Sequence, residues 1–455
     1  MTSSSPTAGN AQDRRPEDPD PGPDADAGAP PTPPSDPPSL PWWLSDRWVA
    51  VVAGLAGALL AWFRMRPGAR ATLWAEDGAL FLAQASVEPW AQNVLAPYAG
   101  YLHTLPRLVA DLVVAVVPTA WWAPTTTALS CALLGTAVAG VVLLTRGLAG
   151  LPARTALGLV TVCAPLLALE VVGNLANVHW LLLWLMPWMM LADGGGRVRR
   201  WALALATLLV VTTEIQALAL APLLLWRPRG RGVLPRLLAV AVGAALQVQA
   251  NLSVPRGVAG SPPDLVGTLL AWLHVVVLPW VMGAERALTT GSGRFGTALG
   301  VATTVGVAAA ALLVVVRGTR LQALVATTFP LVGVALWVVA VWVNHPQLRA
   351  EDGAYVGVRY GYVPSLLLVT PVVLALAVLP AGRIRRTCAV GAAVAAAVPL
   401  VVGFAPGNAR AVGPAWQEQV RLAELRCHTL TPGTVVEVPI TPEGWRSPLP
   451  CSSLG

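Results

Sequence analysis

Adjacent carboxylates, Glu76 and Asp77, stand just after the first apolar run, in Trp74-Ala75-Glu76-Asp77-Gly78-Ala79-Leu80-Phe81. His103 and Arg107 follow in Pro97-Tyr98-Ala99-Gly100-Tyr101-Leu102-His103-Thr104-Leu105-Pro106-Arg107, at the mouth of the next run. A carboxylate held against apolar walls has a raised pKa and can act as a base. An arginine at a membrane–water boundary suits a phosphate, which its guanidinium grips as a bidentate fork. Together these residue types suit a lipid-phosphate substrate with a hydroxyl acceptor. An ordinary solvated loop with one snorkelling arginine accounts for them equally well.

Further polar clusters interrupt the apolar chain. They are Gly173-Asn174-Leu175-Ala176-Asn177-Val178-His179-Trp180, then Glu214 within Thr212-Thr213-Glu214-Ile215-Gln216, then Asn344-His345-Pro346, Glu351-Asp352-Gly353 and Arg359-Tyr360. Ionisable groups at membrane depth are costly, which makes them functional candidates. Asn177, His179, Glu214, Arg359 and Tyr360 therefore join the candidate list as substrate-binding residues. Singly, each has a bland reading as a capping Asn, an interfacial aromatic or a loop Arg. The spacings fit no zinc or phosphate-loop motif. The Glu-Asp pairs offer at most a possible divalent-cation site, and no cofactor is otherwise indicated.

The elements that must position these residues are membrane helices. The 455-residue chain is 55% hydrophobic and 12% charged, with a mean hydropathy of +0.63. A soluble domain carries about 25% charged residues. Apolar runs such as Trp48–Phe63, Thr125–Thr145, Thr155–Val172, Phe295–Val316, Leu321–Val343 and Tyr362–Pro380 approach the roughly 20 residues that cross a bilayer. They lack the period-2 alternation of barrel strands, which leaves helices. The expected fold class is an all-α integral membrane protein, a polytopic bundle of roughly 11–13 spans. All 30 basic residues are arginine, and they gather in short loops between runs. That pattern is a positive-inside bias rather than a nucleic-acid surface.

Residues 1–46 hold 12 prolines and eight acids against two arginines, a composition expected to stay disordered as an N-terminal arm. No basic segment leads into a cleavable apolar stretch, so the first run is expected to remain as an uncleaved span. Residues 47–405 form the transmembrane domain, with 64–101 as its first long loop, and 406–455 form a tail. The Arg197–Arg200, Arg227–Arg231, Arg317–Arg320 and Arg383–Arg386 loops should be cytoplasmic, as should the N-terminus. The first loop and the tail are then extracytoplasmic, in a multi-pass plasma-membrane protein. Trp201–Trp226 has arginines at both ends, so it reads as a hairpin with Glu214 at its tip, or as one long helix with a buried Glu. Outside placement of both loop and tail needs an odd number of spans. The runs give an even number unless Leu265–Met282 is counted, which misplaces Arg317–Arg320. Cys131, Cys163 and Cys388 read as packing residues. Cys427 and Cys451, in the tail, are a disulfide candidate in an oxidising compartment.

WAEDGALFL, PYAGYLHTLPRL, GNLANVHW, VRYGYVPSLLL and VPITPEGW together resemble a group of bacterial multispanning proteins similar to the GT-C superfamily of glycosyltransferases. The resemblance implies a GT-C-like membrane module that takes a polyprenyl-phosphate-linked sugar as donor, with membrane lipid around it. It implies transfer to an extracytoplasmic acceptor: a cell-envelope glycan, a lipid or a protein. Asp77, or its neighbour Glu76, matches the acidic residue of the first extracytoplasmic loop and would deprotonate the acceptor. Arg107 and Arg359 would hold the departing phosphate, and His103, His179, Glu214 and Tyr360 would line the sugar pocket. The other readings are a transporter or lipid flippase, whose charges line a translocation path, and a non-catalytic membrane assembly protein.

Overall fold

The three-dimensional description is a computed structural model. It describes residues 45–226, 233–256, 264–291, 293–344, 357–431 and 433–454. The arm up to residue 44, Arg227, Arg229 and Arg231, and the stretch carrying His345-Pro346 and Glu351-Asp352-Gly353 lie outside the described residues.

The chain is mostly helical. In order come α1 (Asp46–Phe63), α2 (Thr104–Val116), α3 (Trp122–Leu144), α4 (Leu151–Cys163), α5 (Val178–Leu191) and α6 (Arg197–Val211). A 3-10 segment, Ile215–Trp226, leads to α7 (Val233–Ser253), α8 (Leu265–Trp272), α9 (Arg294–Arg317) and α10 (Arg320–Asn344). Last come α11 (Tyr362–Val378), α12 (Arg383–Val402) and α13 (Trp416–Cys427). Among the described residues, nine helices are long and apolar enough to cross a membrane. That is fewer than the 11–13 spans expected from apolar runs. The shortfall lies in short elements: α2 has 13 residues, α5 has 14, and the 197–226 stretch breaks at Thr212–Glu214.

The arginine-rich short loops collect at one end of the bundle. Asp46 pairs with Arg146 at 2.9 Å and with Arg154 at 2.5 Å, tying the start of α1 to the α3–α4 corner. Gln322 donates to the Leu148 carbonyl at 2.8 Å. Arg236, at the start of α7, donates to the carbonyls of Met189, Met190 and Ala192 that end α5. Arg385 lies beside Pro152 and Ala153 across an apolar groove. At the opposite end, Arg64 donates to the Val162 and Ala164 carbonyls. There Gln247 joins Leu102 N–H to the Val211 carbonyl, and Thr104 N–H reaches the Thr212 carbonyl.

Traced through these contacts, α1, α3, α4, α5, α6, the 3-10 segment, α7, α9, α10, α11 and α12 each run from one end to the other. The count of end-to-end elements among the described residues is odd, so the first loop and the tail share an end. Two apolar runs do not traverse. α2 starts beside Thr212 and finishes beside Thr119, which accepts the Trp416 indole N–H at 2.7 Å at that same end. Leu265–Met282 starts with the Thr268 carbonyl on the Trp337 indole and finishes with Gly283 against Pro399, both in the end-proximal parts of α10 and α12. The 197–226 stretch is a broken pair rather than one long helix. α6 ends at Val211 near Gln247, and the 3-10 segment returns toward the start of α7.

Close approach between α1 and α3 rests on glycines. A Cβ on Gly135 would stand 2.4 Å from the Gly54 carbonyl oxygen, so only hydrogen fits. The tail belongs to the same compact unit as the bundle. Its strands β1 (Val435–Pro439) and β2 (Arg446–Pro450) pair antiparallel, with Val436 and Val438 buried on the alternating face. Ser447 donates to the Gly78 carbonyl at 2.8 Å, and Trp416 N–H donates to the Ala71 carbonyl at 2.8 Å, so the tail closes over the first loop. Cys427 and Cys451 are joined as a disulfide. Cys131 is buried and Cys163 half-buried, but Cys388 is exposed on α12 and does not pack in the core.

Candidate functional site: a polar cavity opposite the arginine-rich short loops

A cavity of about 270 Å³ opens at the end away from the arginine-rich loops. Its walls carry Glu76, His103, Asn177, His179, Glu214, Arg359 and Tyr360. These residues are far apart in sequence, and helix breaks deliver several of them. Glu214 follows the end of α6, His179 sits in the first turn of α5, and Tyr360 lies in the 3-10 turn before α11. Trp184, Trp188 and Phe329 fill the core toward the other end, with ring centroids 5.2 and 4.9 Å apart.

The ionisable groups are arranged in pairs. His179 Nδ1 meets a Glu214 carboxylate oxygen, and the other oxygen accepts Gln216 N–H at 2.8 Å. Arg359 forms an ion pair with Glu170 and reaches the Tyr360 hydroxyl at 3.4 Å. Asn177 donates to the Glu170 carbonyl at 3.1 Å and accepts the Trp180 indole N–H at 3.1 Å. Burial, and then the nearby His179 and Arg107, hold His103 well below its ordinary pKa.

Two expected site residues are placed elsewhere. Asp77 does not line the cavity. It is 1% exposed, and its carboxylate oxygens accept the N–H groups of Leu175 and Ala176, each at 2.8 Å. Burial raises this carboxyl to about 7; the two amide donors and Arg410 pull it down, and Glu76 adds to the rise. Asp77 thus fixes the loop that presents Asn177. Arg107 is also walled off. Its guanidinium donates to Gln84 at 2.7 Å and Asn93 at 2.6 Å, over the Phe81 ring. Helix α2 begins at Thr104, so Arg107 faces the loop interior instead of the cavity mouth.

Sequence reasoning missed residues that share the site. Arg256 lines the cavity, donates to Asn344 and lies 5.9 Å from the Tyr101 ring centroid. It has no ion-pair partner among the described residues. Its signal was a solitary arginine just after an apolar run. Glu170 was a carboxylate inside an apolar run and met the membrane-depth criterion. Among the described residues, no group of three or more His, Cys, Asp or Glu is set to hold a metal ion.

Fold and site define a polytopic helical chain with a one-ended polar cavity. Comparison with protein-family models, curated proteins and solved structures finds no match.

Proposed function

We propose that this chain is a membrane glycosyltransferase of GT-C type, moving a sugar from a polyprenyl-phosphate donor to a hydroxyl acceptor at the extracytoplasmic face. The observation that carries the reading is the shared cavity. It combines a half-buried carboxylate (Glu76), two arginines (Arg256 and Arg359) and aromatic faces at the end opposite the arginine-rich short loops. By positive-inside bias that end faces away from the cytoplasm.

Glu76 is the first-loop carboxylate that can meet a substrate, so it takes the acceptor proton. The acceptor oxygen then bonds to the anomeric carbon. The bond from that carbon to the phosphate oxygen breaks, and the electron pair leaves on the polyprenyl phosphate. Arg256 and Arg359 hold the departing charge, where fixed cations stabilise the transition state. Asp77 positions the 174–177 loop and stays out of the chemistry.

The test is transfer from labelled polyprenyl-phosphate sugars in membranes carrying the protein. Glu76→Gln should abolish it; undiminished transfer removes Glu76 as the base. Label that crosses sealed vesicles with no covalent product would instead mark a transporter.

A further inference from the structure

We infer that His103 and the Glu214-held His179 form a subsite for a neighbouring pair of uncharged hydroxyl groups. This rests on the transferase reading, and it names what the cavity grips.

His103 is 4% exposed and lines the cavity, yet neither ring nitrogen has a hydrogen-bond partner among the described residues. Its neighbours offer ring faces: Phe81 and Tyr98 at 5.7 Å and Tyr101 at 4.3 Å between centroids. A buried donor or acceptor left unpaired loses its hydration with nothing in return. A fully buried imidazole with both nitrogens idle is therefore built for something that enters the cavity. Burial keeps the ring neutral, so it offers one donor and one acceptor.

His179 supplies the complement. One oxygen of Glu214 accepts Gln216 N–H, and the other meets His179 Nδ1. With Nδ1 engaged by that carboxyl group, Nε2 is the ring nitrogen left for a ligand. The two imidazoles stand edge to face, 5.9 Å apart. Adjacent hydroxyls on a sugar ring each carry a donor and an acceptor, which matches this wall. A carboxylate or phosphate meets Glu214 here, while the cations Arg256 and Arg359 line the same cavity for the phosphate. Trp180, 4.4 Å from His179 between centroids, presents an aromatic face for the sugar's C–H side.

The experiment measures binding of methyl α-mannoside, methyl α-glucoside, methyl α-galactoside and their monodeoxy forms to the full chain in nanodiscs. For at least one parent, removal of a particular hydroxyl should weaken binding about tenfold, the worth of one such hydrogen bond. His103→Phe keeps the ring and removes both nitrogens, so it should level parent and deoxy forms. Equal binding of every parent and deoxy form by the wild type overturns the subsite, as does discrimination that persists in His103→Phe. If that variant does not fold, nitrogen NMR of wild-type histidines decides. The His103 resonances should move with the parent glycoside and stay with the deoxy form; resonances that respond alike to both overturn the proposal. Discrimination without any transfer removes the transferase and keeps the subsite. Transfer without discrimination does the reverse.

Discussion

Glu76 lines the cavity, while Asp77, its neighbour in the chain, closes both carboxylate oxygens on the backbone N–H groups of Leu175 and Ala176. The chain passes from the Trp74 bridge to a π-helical turn at Asp77–Leu82 between the two acids. Widened turns of this kind recur where a side chain must be re-aimed. One carboxylate faces the cavity, and the other holds the 174–177 loop in place.

Removing Asp77 should therefore cost stability before chemistry. Asp77→Ala strands two buried amides at about 1–3 kcal/mol each, so a loss of about 3 kcal/mol or more is expected. Glu76→Gln should stay within about 0.5 kcal/mol of wild type. Unfolding in detergent, monitored for both variants, checks the contrast. Equal stability of Asp77→Ala and wild type would remove the anchoring role.

The same carboxyl sets a pH dependence. Its folded pKa of about 7 lies above an unfolded value near 3.9. The folded state therefore keeps the proton longer. Its stabilising contribution is complete below about pH 4, falls as pH rises to about 7, and does not change beyond. Wild type should lose on the order of 4 kcal/mol across that window relative to Asp77→Asn, whose amide does not titrate. A constant difference between the two proteins from acid to neutral pH would refute this.

Much of the fold was legible because lipid imposes a simple rule: an apolar run of sufficient length is a helix. α1, α3, α9, α10 and α11 follow it. The rule fails where an apolar helix lies along one end of the bundle. α2 and Leu265–Met282 are apolar enough to read as spans, and hydropathy carries no direction. The conflict over loop sidedness was the trace they left. At the site, residue type flagged Glu76, His179, Glu214 and Arg359. Type could not separate Glu76 from Asp77, since only the backbone around Leu175 distinguishes them. Nor could it show Arg107 consumed by Gln84 and Asn93.

The alternation of helices predicts sidedness residue by residue. Single cysteines at Val87, Val116, Arg286 and Val412 should react with an impermeant thiol reagent on intact cells, in a background with Cys131, Cys163 and Cys388 replaced. Val87, Val116 and Val412 are exposed at the cavity end, and so is Arg286. Cysteines at Val198 and Ile384, exposed among the arginine-rich loops, should react only after permeabilisation. Opposite behaviour of Val87 and Val116 would mean that α2 crosses.

The tail's disulfide makes its own prediction at the same end. Cys427 and Cys451 are 24 residues apart in sequence. Closing a loop of that size limits the unfolded chain by about 3 kcal/mol in the chain-entropy account. The bond joins the end of α13 to the turn after β2, the pieces that cover Leu73 and Phe81 in the first loop. Cys451→Ser should loosen the cap locally and leave the helical bundle intact, because the core of α5 and α11 is a separate cluster. Hydrogen exchange in wild type and variant would read this directly. Faster exchange confined to residues 71–82 and 416–454 is the expected result, and faster exchange spread through α5 and α11 would show that the tail supports the whole fold.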